Sequence, residues 1–391
     1  MGQDSSQKGL YIHIPFCLKK CVYCDFYSVP ITPNAVYEFI KNIIQEIELR
    51  AVNPPFGGFT FSTIYIGGGT PSLFTASQID QILTAINKQF GIGNNAEITL
   101  ETNPATVTEQ SISDYRNLGV NRLSIGIQSF NDGELRLLGR PHSAQDGLLT
   151  YELARKAGYE NINIDLIFGS PKQTLTNFDT SLNTALNLAP EHIALYELTV
   201  EQNTPLARSI ERGDIIPLDA DSAQRMYFRA IEKLGEQGYE HYEISNFATS
   251  QHQCKHNIGY WRHIPYLGLG PSAHSFCNNQ RSWNVKSIEK YNRMILAHDL
   301  AIEGTEELTT SQRELETIFL SLRTSEGINL QKFKKEYNID FSDKYSSLIN
   351  ILTDKSEKPL AILTALNFRL TSNGFSLHNE ICRLFAQTID I

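Results

Sequence analysis

Two rhythms of apolar residues alternate along the first half of this chain. Short β-branched runs stand at 10–14 (LYIHI), 62–66 (STIYI), 97–101 (EITLE), 121–127 (NRLSIGI), 161–167 (NINIDLI) and 192–198 (HIALYEL). Between them, at 34–50, 76–89, 109–117, 144–157 and 175–188, apolar residues recur at helical spacing. The clearest is YEFIKNIIQEIELRAV, which Pro33 or Asn34 can open and Asn53-Pro54-Pro55 stops. Repeated strand–helix units predict a parallel sheet with right-handed crossovers. A closed eight-fold barrel takes ~250 residues. The shorter run here predicts an α/β fold built on a partial (β/α)6 barrel over residues 10–204.

The pattern changes after 204. A helix at 220–237 leads to YEHYEISNFA, read as a further strand, and then to a loop rich in His and aromatic residues at 252–276. Residues 205–304 are therefore expected to extend the barrel. From 305 the chain reads as a small, mostly helical domain. Helices at 311–322 and 329–336 precede LAILTALNFRLTSNGFSLHNEICRLFA, which suggests helix, short hairpin and helix, a winged-helix-like order. Residues 1–9 are expected to form a disordered lead.

In a parallel barrel the ligand site lies at the carboxyl ends of the strands. Polar and glycine-rich residues do gather there: Gly67-Gly68-Gly69-Thr70-Pro71, Glu101-Thr102-Asn103-Pro104, Gln128-Ser129 and Gly169-Ser170-Pro171. Asp165 differs, because it lies inside an apolar run. A buried carboxylate without a partner is costly, so Asp165 is expected to face the lumen toward a ligand or cation.

Composition narrows the class. The 391 residues are 41% hydrophobic and 20% charged, with a net charge of −9 from 34 basic and 43 acidic residues. That balance fits a soluble globular protein and disfavours nucleic-acid binding through a general basic surface. No apolar run reaches the ~18 residues of a membrane span. No secretory signal is visible, and a cytoplasmic location is expected.

Of six cysteines, Cys17, Cys21 and Cys24 cluster in YIHIPFCLKKCVYCDF, directly after the first predicted strand. Clustered cysteines in a large chain without a signal point to metal or redox chemistry. A structural zinc site wants four ligands; His13, Cys254 or Cys277 could supply the fourth from afar. A redox pair formed by Cys21 and Cys24 is a second option. A third is a cubane 4Fe–4S cluster, in which three thiolates leave one iron open for an exogenous amine and carboxylate.

C-x3-C-x2-C, with Tyr23 just before the last cysteine, resembles the radical S-adenosylmethionine (SAM) superfamily. The resemblance implies a 4Fe–4S cluster on Cys17, Cys21 and Cys24 with SAM on the open iron. GGGTP at 67–71 looks like the superfamily's glycine motif, which implies SAM contacts from Gly68, Gly69 and Thr70. Tyr11, Glu101, Gln128, Arg140 and Asp165 match, in order, the SAM-contacting positions of the coproporphyrinogen-oxidase-like family. Arg140 is suited to fork onto a carboxylate.

Residues 10–385 resemble one branch of that family, the oxygen-independent coproporphyrinogen III oxidases and the HemW-type haem chaperones. The oxidase carries a further cysteine where this chain has Phe26, and a long extension ahead of the first strand. HQCKHNIGYW at 252–261 contains the H-N-x-x-Y-W signature of the chaperone branch. Imidazole and thiolate are both common haem ligands, and Tyr260 and Trp261 offer flat faces to a porphyrin. His252, Cys254 and His256 alternate, so an extended segment would aim all three to one side; zinc is the rival ligand there.

The resemblance thus implies a haem chaperone with His256 as the iron ligand. It would pass haem to an acceptor protein such as a membrane respiratory enzyme, with the cluster serving handover or a homodimer. The alternative is radical oxidative decarboxylation of coproporphyrinogen III.

Overall fold

A computed structural model describes residues 7–354 and 358–389. Most of the lead expected at 1–9 falls outside the described residues, and Gly9 already belongs to the first strand. Six parallel strands form the expected barrel wall: β1 Gly9–Ile14, β2 Phe61–Gly68, β3 Ile92–Thr102, β4 Arg122–Gln128, β5 Ile162–Phe168 and β6 His192–Glu197. They lie side by side in chain order, so the sheet is open and every crossover is local.

Strand alternation explains the layers. Leu10, Ile12, Ile14, Ile64, Ile66, Leu123, Ile125, Ile162 and Ile164 are fully buried on the apolar face. The opposite face is polar. Glu101 pairs in register with Ser124, Ser124 with Asn163 and Asn163 with His192, so these four form one row across the lumen.

The sheet does not end at β1. On its free side β7 Tyr266–Leu269 pairs parallel with β1, and β8 His274–Cys277, β9 Gln280–Asn284 and β10 Ile302–Glu307 continue outward. The segment expected as a loop at 252–276 therefore holds strands β7 and most of β8, and also a helix, Lys255–Trp261. Four-residue strands broken by glycine are too short for periodicity to detect.

The chain divides into two compact units, one running to Tyr227 and including Pro265–Glu306, the other combining Phe228–Ile264 with the chain from Glu307 onward. The stretch expected as one segment at 205–304 is thus shared between them. In the second unit, Glu240–Glu243 and Asn246–Ala248 form an antiparallel hairpin, where one strand was expected. Helix Thr310–Leu322, a three-stranded sheet (Ile328–Asn329, Asn367–Leu370, Ala361–Leu363) and flanking short helices give the winged-helix-like order. The helix before the wing is Ser346–Leu352; LAIL at 360–363 enters the hairpin instead. Phe333, Phe341, Tyr345, Phe368 and Phe385 pack its core.

The helix after the cysteine loop, α1 Pro33–Val52, is locked to the sheet extension by a buried polar knot. Glu46 accepts from the Gly270 amide (2.8 Å), the Tyr291 hydroxyl (2.8 Å) and Asn284 Nδ2 (2.7 Å). Arg50 donates to Asn284 Oδ1 at 2.8 Å and lies 3.6 Å from Glu46. Removing one member of a buried ion pair strands the other. Glu46→Ala should therefore cost about 3 kcal/mol, read as a lower urea midpoint; an unchanged midpoint would contradict this role.

Candidate functional site

The cysteine loop leaves the carboxyl end of β1 and is held on several sides. Its ends pair through Val29 N–H to Pro15 O (2.7 Å) and Ile31 N–H to Cys17 O (3.1 Å). Its middle is tied by Val22 N–H to Leu138 O (3.3 Å) and Leu206 N–H to Val22 O (2.9 Å). The Tyr27 hydroxyl accepts the Ile288 amide at 2.7 Å. Cys21 is buried, while Cys17 and Cys24 are partly open.

Each thiol has a donor. Thr70 Oγ1 lies 3.6 Å from Cys17 Sγ, Arg140 Nη1 lies 3.5 Å from Cys21 Sγ, and the Phe26 amide donates to Cys24. Among the described residues no three His, Cys, Asp or Glu side chains converge as ligands of one mononuclear ion.

The distant fourth ligands considered from sequence fare differently. His13 Nε2 donates to the Tyr27 carbonyl (2.8 Å), so Nδ1 accepts from Tyr11 Oη (3.0 Å), and both nitrogens are engaged. Burial holds the ring neutral, with its pKa lowered to about 4. Cys277 lies beside Lys8, near the amino end of β1. The loop leaves the other end of that strand, roughly 20 Å away for six residues.

The glycine turn meets this loop directly. Gly68 has φ +114°, and a Cβ there would strike His13 at 2.8 Å. A Cβ on Gly69 would lie 2.5 Å from the Phe16 carbonyl. The turn can lie against the cysteine loop only because both residues lack side chains.

Below it, Glu101 accepts from Tyr65 Oη (3.0 Å) and the Gly68 amide (3.1 Å). Asp165 does face the lumen, as expected. It accepts from Asn163 Nδ2 (2.6 Å) and, more weakly, from Ser124 Oγ (3.3 Å), and it feels the charge of Arg122. Burial, then the charge of Asp165, raises Glu101 to about 7; burial raises Asp165 to about 6.

Arg140 is engaged by groups of the chain itself. It donates to Gly126 O (2.7 Å), Asn103 Oδ1 (3.0 Å), the Cys21 sulfur and the Tyr23 hydroxyl, and its buried Nε has no hydrogen-bond partner. Gln128 closes β4 with φ +70° at the same rim.

Sequence reading missed the supports. Asn163 links Asp165 and Ser124 to the buried His192 (2.6 Å), and His142 stands beside Asn103 while donating to Ile127 O (3.0 Å). A signal was present: Asn163 and Asp165 lie two apart on one strand and so share a face.

The HNIGYW segment is helical and belongs to the second unit. The alternation of His252, Cys254 and His256 does not create a common side. His252 turns back to Thr249 and Ser250, and Cys254 is the fully buried N-cap. His256 is 3% exposed, with Nε2 2.8 Å from Tyr260 Oη and the two rings edge-on.

These features agree with what known proteins show. The radical SAM superfamily model matches residues 11–185, and the HemN C-terminal domain matches 308–377. A heme chaperone HemW of Bacillus subtilis is 34% identical over 97% of this chain and 99% of its own length. That of Escherichia coli is 36% identical over 68% of this chain and 69% of its own. The chain belongs to the HemW family. The E. coli coproporphyrinogen III oxidase structure, HemN, shares the fold, with a TM-score of 0.84 over 97% of this chain and 90% of that one at 24% identity.

The radical SAM fold of the HemW family implies a 4Fe–4S cluster and SAM. The residues present fit both: three thiols on one rim loop with a glycine turn packed against it, buried carboxylates, and a buried guanidinium with an unused donor.

Both carboxylates have folded-state pKa values above their ordinary 4.5 and 3.8. Each therefore stabilises the cofactor-free fold below its ordinary value, and that contribution is lost as pH rises through the folded one. The cofactor-free chain should lose stability from about pH 4 to about pH 7. Glu101→Gln should flatten the upper part of that slope in denaturant midpoints measured against pH. An unaltered slope would clear Glu101 of the effect.

Proposed function

We propose that this chain is a cytoplasmic haem chaperone that binds haem and hands it to an acceptor haem protein, such as a membrane respiratory enzyme. The observation that carries the reading is one chain pairing the three-cysteine rim loop, with Phe26 beside it, and the HNIGYW helix, along full-length HemW relatives. Among the described residues no helix is long and apolar enough to cross a membrane, so an acceptor in a membrane would be met from outside the bilayer.

In this reading Cys17, Cys21 and Cys24 hold the 4Fe–4S cluster, which supplies an open iron for SAM. Gly68, Gly69 and Thr70 present backbone and hydroxyl groups to the SAM amino-acid end. Glu101 and Asp165, raised by burial, lose their penalty beside a cationic ligand. Arg140 has an unsatisfied Nε–H for the SAM carboxylate. Tyr11, whose proton goes to His13, keeps acceptor capacity, and Gln128 adds an amide at the rim.

His256 is the haem ligand. Its Nε2 must leave Tyr260 to reach iron, so Tyr260 restrains the ligand. A homodimer is consistent with this reading. Oxidative decarboxylation of coproporphyrinogen III is the weaker alternative. Phe26, 67% exposed, stands where the oxidase has a cysteine.

The test is to reconstitute the cluster anaerobically and titrate with haem while following the Soret band. We expect one haem per chain, binding lost in His256→Ala, and binding tightened severalfold in Tyr260→Phe. The same preparation given coproporphyrinogen III, SAM and a reductant should leave the substrate unchanged. Formation of protoporphyrinogen would overturn the chaperone reading.

A further inference from the structure

The His256 helix has only seven residues, too few to persist in water without docking. What docks it comes from its own compact unit, which also contains the C-terminal domain. At its start, the Cys254 amide donates to Tyr242 Oη at 3.3 Å. Tyr242 belongs to the 240–248 hairpin, whose carbonyl accepts the Ser325 amide at 2.9 Å. The Ile244 amide donates to the Arg323 carbonyl at 3.2 Å, and Glu243 bridges to Thr324.

At the helix end, the Arg323 guanidinium lies over the Trp261 ring, 4.5 Å from its centroid. Arg323 is itself aimed. Its Nε is 2.9 Å from Glu243, whose side chain is fully buried, and its Nη2 donates to Ser245 Oγ at 3.2 Å. Glu243 also accepts from Asn246 and from the Ser245 amide. A second pair, Arg262 with Glu326 at 2.6 Å, is solvent-exposed and contributes little. Arg323 is therefore the residue that joins the hairpin, the C-terminal domain and Trp261.

We infer that the C-terminal domain anchors the His256 helix for haem binding, with Arg323 as the positioning residue. Pinning Trp261 sets the rotation of a short helix, and His256 and Tyr260, four residues apart, then present a fixed face. One face of Trp261 is taken by the guanidinium, so its role is docking rather than porphyrin stacking on that side. The use of the anchor rests on His256 being the haem ligand; the anchor itself does not.

The test uses the full chain. Arg323→Met alone strands a buried carboxylate and can unfold the unit, so the informative variant combines Arg323→Met with Glu243→Gln. Hydrogen–deuterium exchange at 255–264 in the haem-free protein reads the anchor. We expect protection there to fall while the barrel strands keep theirs. Ferric haem should then bind about tenfold more weakly, the scale of one partly exposed cation–π contact, with a shifted Soret maximum.

Unchanged protection at 255–264 would overturn the anchor. Lost protection with wild-type haem affinity and spectrum would overturn its role in haem binding. If His256→Ala leaves haem binding intact, the haem-ligand reading fails instead, and the exchange result still decides the anchor.

Discussion

Two carboxylates share one barrel lumen, and the rim is arranged around that expense. Burial, then the charge of Asp165, raises the cost of ionising Glu101, and burial raises that of Asp165. The fold meets this with neutral donors, Tyr65 and a glycine amide on Glu101, Asn163 and Ser124 on Asp165, and with the charges of Arg122 and Arg140 near Asp165. The neutral donors stabilise a carboxylate less than a cation would. The glycine amide that holds Glu101 belongs to the turn packed against the cysteine loop.

The same economy explains the supports of the loop. Each cysteine of the loop has a donor, and two of these, Thr70 just after β2 and Arg140 in the loop after helix Asp132–Leu137, come from different parts of the rim. The loop is thus placed by the barrel rather than by its own backbone preferences. The Glu46 knot extends this restraint to the helix that follows, which carries the strand-end geometry outward into the sheet extension.

Two parts of the chain are organised differently. Gly68, Glu101, Gln128 and Asp165 belong to a parallel sheet whose side chains are placed by register. The HNIGYW segment lies on a short helix whose Trp261 ring packs against Arg323 of the C-terminal domain. HemN shares the scaffold at 24% identity.

Local information alone determined much of this protein. Strand and helix runs, the three-cysteine loop and the rim positions of Gly68, Glu101, Gln128 and Asp165 are legible because alternation and turn chemistry act over a few residues. The HNIGYW helix was not legible as a helix. Its His/Cys alternation imitates a strand, and its fold depends on Trp261 meeting Arg323, 62 residues away. Nor could the sequence show that Arg140 lies against Cys21 or that Asn163 bridges Asp165 to His192. Arg140 and Cys21 lie in loops far apart in the chain, and His192 reaches Asn163 from the neighbouring strand, so only packing of the whole unit brings such residues together.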